Sequence, residues 1–238
     1  MRLLVANPNS TEAITEACAA LARDAASPGT DIVVWTNRHG PPVIDSVYGD
    51  YMAGRPLALG LSRLHPVPDG VVLAGFGNYG TAAVKEALDV PVVSMAEAAM
   101  MLALPLCHRF AIVTTAPRMI AYTEDIVRLA GLGERCAAVR AVSLPPITAA
   151  PPPETQVVAE LTAAVEAVRA QVGADLVVLG GSRLSPYAAA LRRVVPIPVL
   201  EPVACGVQVA EALVRLGLRQ SKTGKFAPPP QPLSEYGE

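Results

Sequence analysis

The sequence predicts an α/β protein built from two Rossmann-like lobes, each with a small open, mainly parallel sheet of four strands, and three observations indicate it. Eight short runs rich in Val, Ile and Leu alternate with Ala-rich segments of helical period, as expected for parallel strands buried on both faces. The sequence of residues 69–76 is repeated in similar form at 175–182, and that of residues 2–7 at 109–114. A repeat that occurs only twice indicates a duplicated lobe and not a solenoid.

Gly, Pro or Asn bounds the apolar runs, which is typical of short buried strands. We predict strands at residues 2–6, 31–35, 70–74, 91–94, 109–114, 139–143, 175–180 and 197–200. Segments of helical period predict helices at Thr11–Ala26, Met119–Leu129, Glu154–Gln171 and Val203–Leu216, with a short helical stretch after each glycine-containing loop of the repeat. Because strands alternate with helices, right-handed crossovers are expected.

The lobe boundary is predicted near residues 96–108, with the last helix crossing back to the first lobe. The first lobe would then hold residues 1–97 plus 207–238, and the second residues 98–206. A proline-rich segment at 144–153 is predicted to be a loop. The tail from Ser221 contains several prolines and is predicted to run extended over the surface, or to brace a partner subunit.

Composition excludes several classes of function. Of the 238 residues, 52% are hydrophobic and 17% charged, and the net charge is -2, so a large core is expected but no nucleic-acid or membrane-surface partner. The longest apolar run, at 96–107, is shorter than the roughly 20 residues that a membrane-spanning helix needs. With no secretory signal pattern at the start, a cytoplasmic location is expected.

Four cysteines stand at 18, 107, 136 and 205 without paired CxxC spacing, so buried, reduced thiols are expected. Cys18 keeps step with Ile14, Leu21 and Ala25, which is the spacing of a helix core stripe. The chain has no His, Asp and Glu cluster of ligand spacing, so no metal site is expected.

In open α/β sheets, ligands bind at the carboxyl ends of the strands. After the first strand, Asn9 can cap the following helix, and amides and hydroxyls there could hold a carboxylate or carbonyl oxygen. An ordinary capping turn explains the pattern equally well. The candidate binding residues of this loop are Asn7, Asn9, Ser10 and Thr11.

The loops after three other strands complete the candidate pocket. Glycines at 75, 77 and 80 let backbone amides approach a ligand closely, but the spacing matches neither GxGxxG nor a P-loop. The candidate residues of these loops are Gly75, Phe76, Gly77, Asn78 and Tyr79 in the first lobe, and Thr114, Thr115, Gly181, Ser182 and Arg183 in the second. We expect Arg183 to bind a substrate carboxylate, the alternative being an arginine exposed to solvent.

The opening Met1–Thr11 resembles that of the hydantoin racemase branch of the Asp/Glu racemase superfamily. Further landmarks are similar along most of the chain, among them Gly40-Pro41, the loop from Gly75, Pro91–Val93, Val113–Thr115 and Gly224–Pro229. The resemblance implies two lobes related by a pseudo-two-fold axis, catalysis without a cofactor on a small molecule in the interlobe cleft, and a homo-oligomer.

Racemases of that family carry one cysteine at the end of the third strand of each lobe, so that one thiolate removes a proton and the opposite thiol returns one. Here these positions hold Gly75 and Gly181, and glycine has no proton to transfer. None of the four cysteines aligns with either position, Cys205 being the least remote. The arylmalonate decarboxylases of the same superfamily are also similar, since they have glycine at the first position and cysteine at the second.

Two functions stay open. The first is a cofactor-independent isomerase or carbon-centred lyase that acts next to a carbonyl with acid and base groups other than cysteine. Backbone amides of both glycine loops would stabilise an enolate, and the catalytic candidates are Tyr79, Ser182 and Arg183, with Tyr187, Asp45 and His39 as further ones. The second is a non-catalytic binder or sensor of a small carboxylate or cyclic amide.

Overall fold

The computed structural model of the protein describes residues 1–145, 152–231 and 233–236. Its strands are β1 (Arg2–Asn7), β2 (Asp31–Thr36), β3 (Gly70–Leu73), β4 (Val92–Ser94), β5 (Phe110–Thr114), β6 (Cys136–Ala141), β7 (Leu176–Gly180) and β8 (Val199–Leu200). Its α-helices are α1 (Glu12–Ala25), α2 (Val47–Ser62), α3 (Thr81–Ala87), α4 (Met95–Ala103), α5 (Ile120–Leu129), α6 (Glu154–Val172), α7 (Ala188–Arg192) and α8 (Pro202–Arg215).

The strands form two four-stranded sheets with the same order. The first sheet runs β2-β1-β3-β4 and the second β6-β5-β7-β8, and all of their strand pairs are parallel. In the first sheet Ala6 pairs with Leu73, and in the second Thr114 pairs with Gly180. The loops after β1, β3, β5 and β7 therefore leave the central strands of the two sheets, and the predicted fold class is confirmed.

An aspartate before the third strand of each sheet makes the same pair of hydrogen bonds, so the sequence repeat corresponds to a repeat in the structure. The carboxylate of Asp69 accepts the backbone amide of Arg2 at 2.7 Å, and its own amide donates to the carbonyl of Arg2. Asp175 makes the same reciprocal pair with Arg109, at 2.9 and 3.0 Å. Amides of His108 and Arg109 hold the pKa of Asp175 below its usual range. Each aspartate thus aligns the start of its third strand with that of the first.

The largest buried core is shared by both sheets. It contains Val5 and Val72 of the first sheet and Ile112 and Val178 of the second, together with side chains of α1, α4 and α8. Helix α8 packs against α1, α4 and β3. Because this core is continuous, the division at residues 97/98 and 206/207 stays a prediction.

The predicted elements are found within a few residues of their predicted limits, strand β6 differs in its start, and helices α2 and α4 were not predicted. Strand β6 begins at Cys136 and not at residue 139, with an irregular register beside Phe110 and Ala111. Helix α2 was not predicted, because Gly49, Gly54, Gly60 and Pro56 conceal a helical pattern. Its start is fixed by Ser46, whose hydroxyl accepts the amide of Gly49 at 3.1 Å.

The tail after α8 is not extended as predicted. Gln220 donates its side-chain amide to the carbonyls of Leu88 and Val90, and Lys222 donates to those of Lys85 and Glu86. A turn at Gly224 and a short 3-10 helix at Leu233–Tyr236 follow. The tail is therefore bound to the carboxyl end of α3. The proline-rich segment predicted as a loop falls largely on residues 146–151, outside the described residues.

Among the described residues, no helix combines the length and the apolar character that crossing a bilayer requires.

Candidate functional site

A cavity of about 590 Å³ lies in the cleft between the two sheets, at the carboxyl ends of their strands. It is lined by loops of both lobes and by the segment of residues 42–45. Nine of the predicted site residues line it: Asn9, Gly75, Phe76, Tyr79, Thr114, Thr115, Gly181, Ser182 and Arg183. The loops predicted to enclose one pocket do so.

Three predicted binding residues of the first loop have structural roles instead. Asn7 is buried, and its side-chain amide donates to Asn9 Oδ1 and Thr15 Oγ1 at 3.1 and 3.0 Å. Ser10 donates its backbone amide to Pro41, and the hydroxyl of Thr11 donates to the carbonyl of Pro42 at 2.8 Å. None of the three lines the cavity, and their binding of a substrate stays a prediction.

Asn9 has a side chain whose orientation is fixed. Its Oδ1 accepts hydrogen bonds from Asn7 Nδ2 and from the amide of Thr11, at 3.1 and 3.0 Å. With the oxygen occupied, the amide nitrogen Nδ2 is the group left to donate to a ligand, and no bond from it is formed within the described part of the chain. Asn9 therefore offers the cavity an oriented donor.

Gly77 and Asn78 lie on the other side of the glycine loop. They line a separate cavity of about 360 Å³ that also borders Glu97 and Phe226. The backbone amide of Asn78 donates to the phenolic oxygen of Tyr122 at 2.9 Å. Neither residue lines the cleft cavity, and their binding of a substrate there stays a prediction.

The ring of Tyr79 fills the space beside two glycines. A Cβ atom on Gly75 would meet Tyr79 Cε2, and would lie 2.7 Å from Tyr79 Cδ2 and 2.6 Å from Pro8 Cγ. A Cβ atom on Gly77 would lie 2.7 Å from the hydroxyl of Tyr79. The ring packs among Leu57 and other side chains of the first-lobe core, so it occupies the place where a side chain at 75 would stand.

Asp50 and Tyr122, which sequence reasoning missed, hold this loop. Asp50 Oδ1 accepts the backbone amide of Tyr79 at 2.6 Å, and Oδ2 accepts the hydroxyl of Tyr122 at 2.8 Å. Tyr79 has a φ of 36°, a left-handed conformation rare for a residue with a side chain. The carboxylate therefore stabilises a strained residue. Asp50 had no detectable signal because its helix, α2, was not predicted.

The phenol of Tyr79 is not suited to act as a base. Burial raises its pKa above the usual range, and the nearby Asp50 carboxylate raises it further. Tyr79 remains a neutral phenol at physiological pH.

The second lobe differs from the first at the equivalent glycine. A Cβ atom on Gly181 would meet no atom within 4 Å, so this position opens into the cavity. Next to it, Ser182 also lines the cavity, and its role as a catalytic group stays a prediction.

Arg183 lines the cavity, but its guanidinium has a partner in the protein. Nη2 donates to the carbonyl of Pro145 at 2.6 Å, and burial lowers the pKa of the side chain. Arg183 thus holds the segment of Leu144 and Pro145 in place, and Leu144 lines the second-lobe side of the cavity. A carboxylate would have to share the guanidinium with this carbonyl.

The two threonines after β5 have different roles. The hydroxyl of Thr114 is buried and donates to the carbonyl of Gly180 at 3.1 Å, which ties the ends of β5 and β7 together. Thr115 is half-buried on the cavity wall. Thr115 is therefore the residue of this pair that can present a hydroxyl to a ligand.

Of the three further catalytic candidates, only Asp45 lines the cavity. Its side chain is exposed at the rim, and it is the one carboxylate that lines the cavity in the described ranges. His39 lies in a different surface groove with Glu12 and Arg63. Tyr187 packs against the second-lobe core. Asp45 is thus the one of these three candidates that borders the cavity.

None of the four cysteines lines the cavity. Cys18 and Cys205 are 1% and 6% exposed, and burial raises the pKa of each thiol to about 12. Burial likewise raises the pKa of Cys136 to about 11. In the part of the chain that the structure describes, no group of His, Cys, Asp and Glu side chains is arranged to hold a metal.

Comparison with known proteins gives a consistent result. Residues 3–210 match the family Asp/Glu/hydantoin racemase. The hydantoin racemase of Paenarthrobacter aurescens is 35% identical over 231 residues, which cover 96% of this chain and 98% of the relative. The structure of allantoin racemase from Klebsiella pneumoniae superposes with a TM-score of 0.89 at 32% identity, covering 98% of this chain and 95% of the other.

A more distant likeness concerns the fold alone. A crystal structure of arylmalonate decarboxylase superposes with a TM-score of 0.63 at 18% identity, and the match covers 100% of both chains. The two-lobed architecture is thus common to proteins named for racemisation and for decarboxylation.

Proposed function

The chain belongs to the Asp/Glu/hydantoin racemase family, and from this premise we propose that it is a cofactor-independent enzyme that lacks the two-cysteine mechanism. It acts on the carbon next to a carbonyl of a small carboxylate or cyclic amide, as an isomerase or as a carbon-centred lyase such as a decarboxylase. The observation that carries the proposal is a cleft cavity that retains oriented hydrogen-bond donors and one carboxylate but no thiol.

The donors are placed to stabilise an enolate oxygen. Asn9 Nδ2 is oriented by the two bonds to its Oδ1, and Thr115 lies on the facing wall. Donors held in place before the reaction lose no free energy to reorientation when negative charge develops on the substrate oxygen. This arrangement favours chemistry in which an electron pair moves from the α-carbon to the carbonyl.

Asp45 is the proposed proton acceptor. In an isomerisation the α C–H bond breaks, its proton passes to the Asp45 carboxylate, and its electron pair forms the enolate. A proton from Asp45 or from solvent then adds to the enolate carbon and completes the reaction. In a decarboxylation the C–C bond to a carboxylate breaks, carbon dioxide leaves, and a proton then adds to the enolate carbon. Its exposed position at the rim allows Asp45 to exchange its proton with solvent between turnovers.

A second function, binding without catalysis, is favoured by one observation. The ring of Tyr79 fills the first thiol position, which leaves no room there for an acid or base group. If Asp45 does not transfer protons, the cleft is a binding site for a small cyclic amide or carboxylate.

The relatives' names suggest the probes. We would incubate the protein in D2O with each enantiomer of 5-benzylhydantoin, with allantoin and with phenylmalonate, and follow the α-proton and the released carbon dioxide. We expect turnover with one of them and a loss of at least about 100-fold in Asp45→Asn, since proton transfer by a positioned group contributes this much. His39→Gln, outside the cavity, is the matched control.

The outcomes separate the two functions. Turnover that His39→Gln retains and Asp45→Asn loses supports the enzyme. Thermal stabilisation by a probe without any turnover indicates the binder. Equal turnover by Asp45→Asn and the wild type would exclude Asp45 as the acid–base group.

We further propose that the protein forms a homo-oligomer and works in the cytoplasm. One face of α2 exposes Tyr48 and Tyr51, which are 75% and 74% accessible, and adjacent exposed aromatic side chains are typical of protein interfaces. Sedimentation analysis of the wild type and of Tyr48→Asp tests the oligomer: a monomeric wild type would contradict it.

A further inference from the structure

The two glycines that replace the thiols are not equivalent. At Gly75, a side chain would collide with the ring of Tyr79 and with Pro8 Cγ, whereas at Gly181 it would meet nothing within 4 Å. In the first lobe the thiol position is filled by ring carbons, which have no acidic hydrogen. In the second lobe it is open to the cavity.

We propose that Tyr79 closes one face of the bound substrate, so that protons enter and leave only on the face turned toward Gly181, with retention of configuration. This proposal rests on the proposed function and narrows it to the carbon-centred lyase, because a proton that returns on the face it left regenerates the starting enantiomer. Tyr79 is accordingly a residue that determines specificity, and not the acid or base that its position first suggested.

The ring is held in place by more than its own packing. Tyr79 is 6% exposed within the first-lobe core, and its backbone amide bonds to the Asp50 carboxylate. Asp50 is in turn bound by Tyr122 of α5. To leave the first thiol position, the ring of Tyr79 would have to come out of the core. The backbone amide of Tyr79 would meanwhile stay bound to Asp50, which links it to Tyr122 of the other lobe.

The consequence for proton transfer follows from the planar enolate. The α C–H bond breaks on the open face, and its proton passes to the proposed acceptor Asp45, which lines the same cavity as Gly181. The enolate carbon can then accept a proton from either face only if each face has a donor. Since Tyr79 covers one face, the proton returns on the face from which it left.

The stereochemical test compares exchange with racemisation in D2O, using one enantiomer of 5-benzylhydantoin and a protein-free control for spontaneous racemisation. For the wild type and for His39→Gln, which lies outside the cavity, we expect deuterium to enter while optical activity persists. For Gly75→Cys combined with Tyr79→Gly, we expect loss of optical activity to accompany exchange. A wild type that racemises the probe as fast as it exchanges the α-proton would overturn the proposal.

A second test does not depend on turnover. Gly75→Cys and Gly181→Cys are treated with iodoacetamide, and labelling is read at each cysteine by peptide mass spectrometry. We expect Gly181→Cys to be labelled at least about 10-fold faster than Gly75→Cys. Both variants should melt below the wild type, Gly75→Cys by about 2–10 °C because it overpacks the loop, and Gly181→Cys because the φ of 156° at this position favours glycine. Equal labelling of the two would refute the closed first position.

The two tests distinguish the two proposals. If no probe exchanges, the proposed function fails, while unequal labelling still supports the closed face. If exchange occurs with inversion, the proposed function stands and the inference about Tyr79 fails. In Gly75→Cys with Tyr79→Gly, labelling should recover to within about threefold of Gly181→Cys, and a failure to recover would count against Tyr79 as the cause.

Discussion

Asp50 of α2 and Tyr122 of α5 are joined across the two lobes by a hydrogen bond of 2.8 Å between the carboxylate and the phenol. The same carboxylate binds the amide of Tyr79, and the same phenolic oxygen accepts the amide of Asn78. One pair of side chains thus fixes two successive residues of the glycine loop. The geometry of this loop depends on both lobes.

Asp50→Ala should therefore lower the free energy of unfolding by more than the removal of an exposed surface carboxylate does. It leaves the amide of Tyr79 and the hydroxyl of Tyr122 without their charged acceptor, which costs about 2 kcal/mol. Urea unfolding gives the free energy of unfolding, and Asp125→Ala, which removes an exposed pair with Arg128, is the control with an expected loss below about 1 kcal/mol. A double-mutant cycle with Tyr122→Phe should give a positive coupling energy.

The cysteines should differ in reactivity, and none should matter for function. With iodoacetamide at pH 8, we expect native protein to be labelled first at half-buried Cys107, because burial raises the pKa of Cys18 and Cys205 to about 12. Labelling of native protein should leave turnover or ligand binding unchanged. Inactivation by modification of Cys18 or Cys205 would contradict the thiol-free site.

Glu211 should make stability depend on pH in the acid range. Its carboxylate is buried and, despite the burial that raises its pKa, accepts bonds from Ser27, Thr30 and Arg215 that bring the pKa below its ordinary value of 4.5. Its stabilising effect is thus fully present above about pH 4.5 and is lost as pH falls through the lower folded pKa.

Urea unfolding of Glu211→Gln and the wild type between pH 7 and pH 3 measures this effect. The difference in free energy of unfolding should be largest near pH 7 and shrink below about pH 4.5. Glu12→Gln, at an exposed ion pair with Arg38, is the control and should show almost no such difference. A constant difference across the range would mean that the ionised form of Glu211 is not what stabilises the fold.

Lys222 should stabilise α3 from the tail. Its ammonium donates to the carbonyls of Lys85, Glu86 and Leu88, where the last turn of the helix has unpaired carbonyls. Lys222→Met should lower the free energy of unfolding by about 1–2 kcal/mol. Lys225→Met, which loses only a contact with the ring of Phe226, should lower it by less than about 1 kcal/mol.

The predictable part of the fold lay where local pattern and burial agree. Strand β7 is apolar at every position because both of its faces are buried, and so it was located to within one residue. Helix α2 could not be predicted, since its glycines and proline are tolerated through packing against the first-lobe core and not through helix propensity. With α2, the role of Asp50 was missed as well.

The candidate site was also predictable in part: the loops that form it could be predicted from the sequence, but the side chains that face a ligand could not. That the loops after the central strands meet at one cavity follows from the topology of parallel sheets, and nine of the predicted site residues line it. Which side chain in a loop faces the ligand does not follow, because Asn7 and Asn9 differ only in the hydrogen bonds that orient them. Neighbouring polar residues in a turn look alike in sequence.

The sequence by itself determined the duplicated α/β architecture and the absence of cysteine at residues 75 and 181, since strand pattern and residue identity are properties of the chain. Only the tertiary structure decided that these two positions are unlike. Tyr79 is brought over Gly75 by a strained backbone, an acceptor from α2 and a phenol from the other lobe, and such an arrangement depends on contacts between residues far apart in the chain.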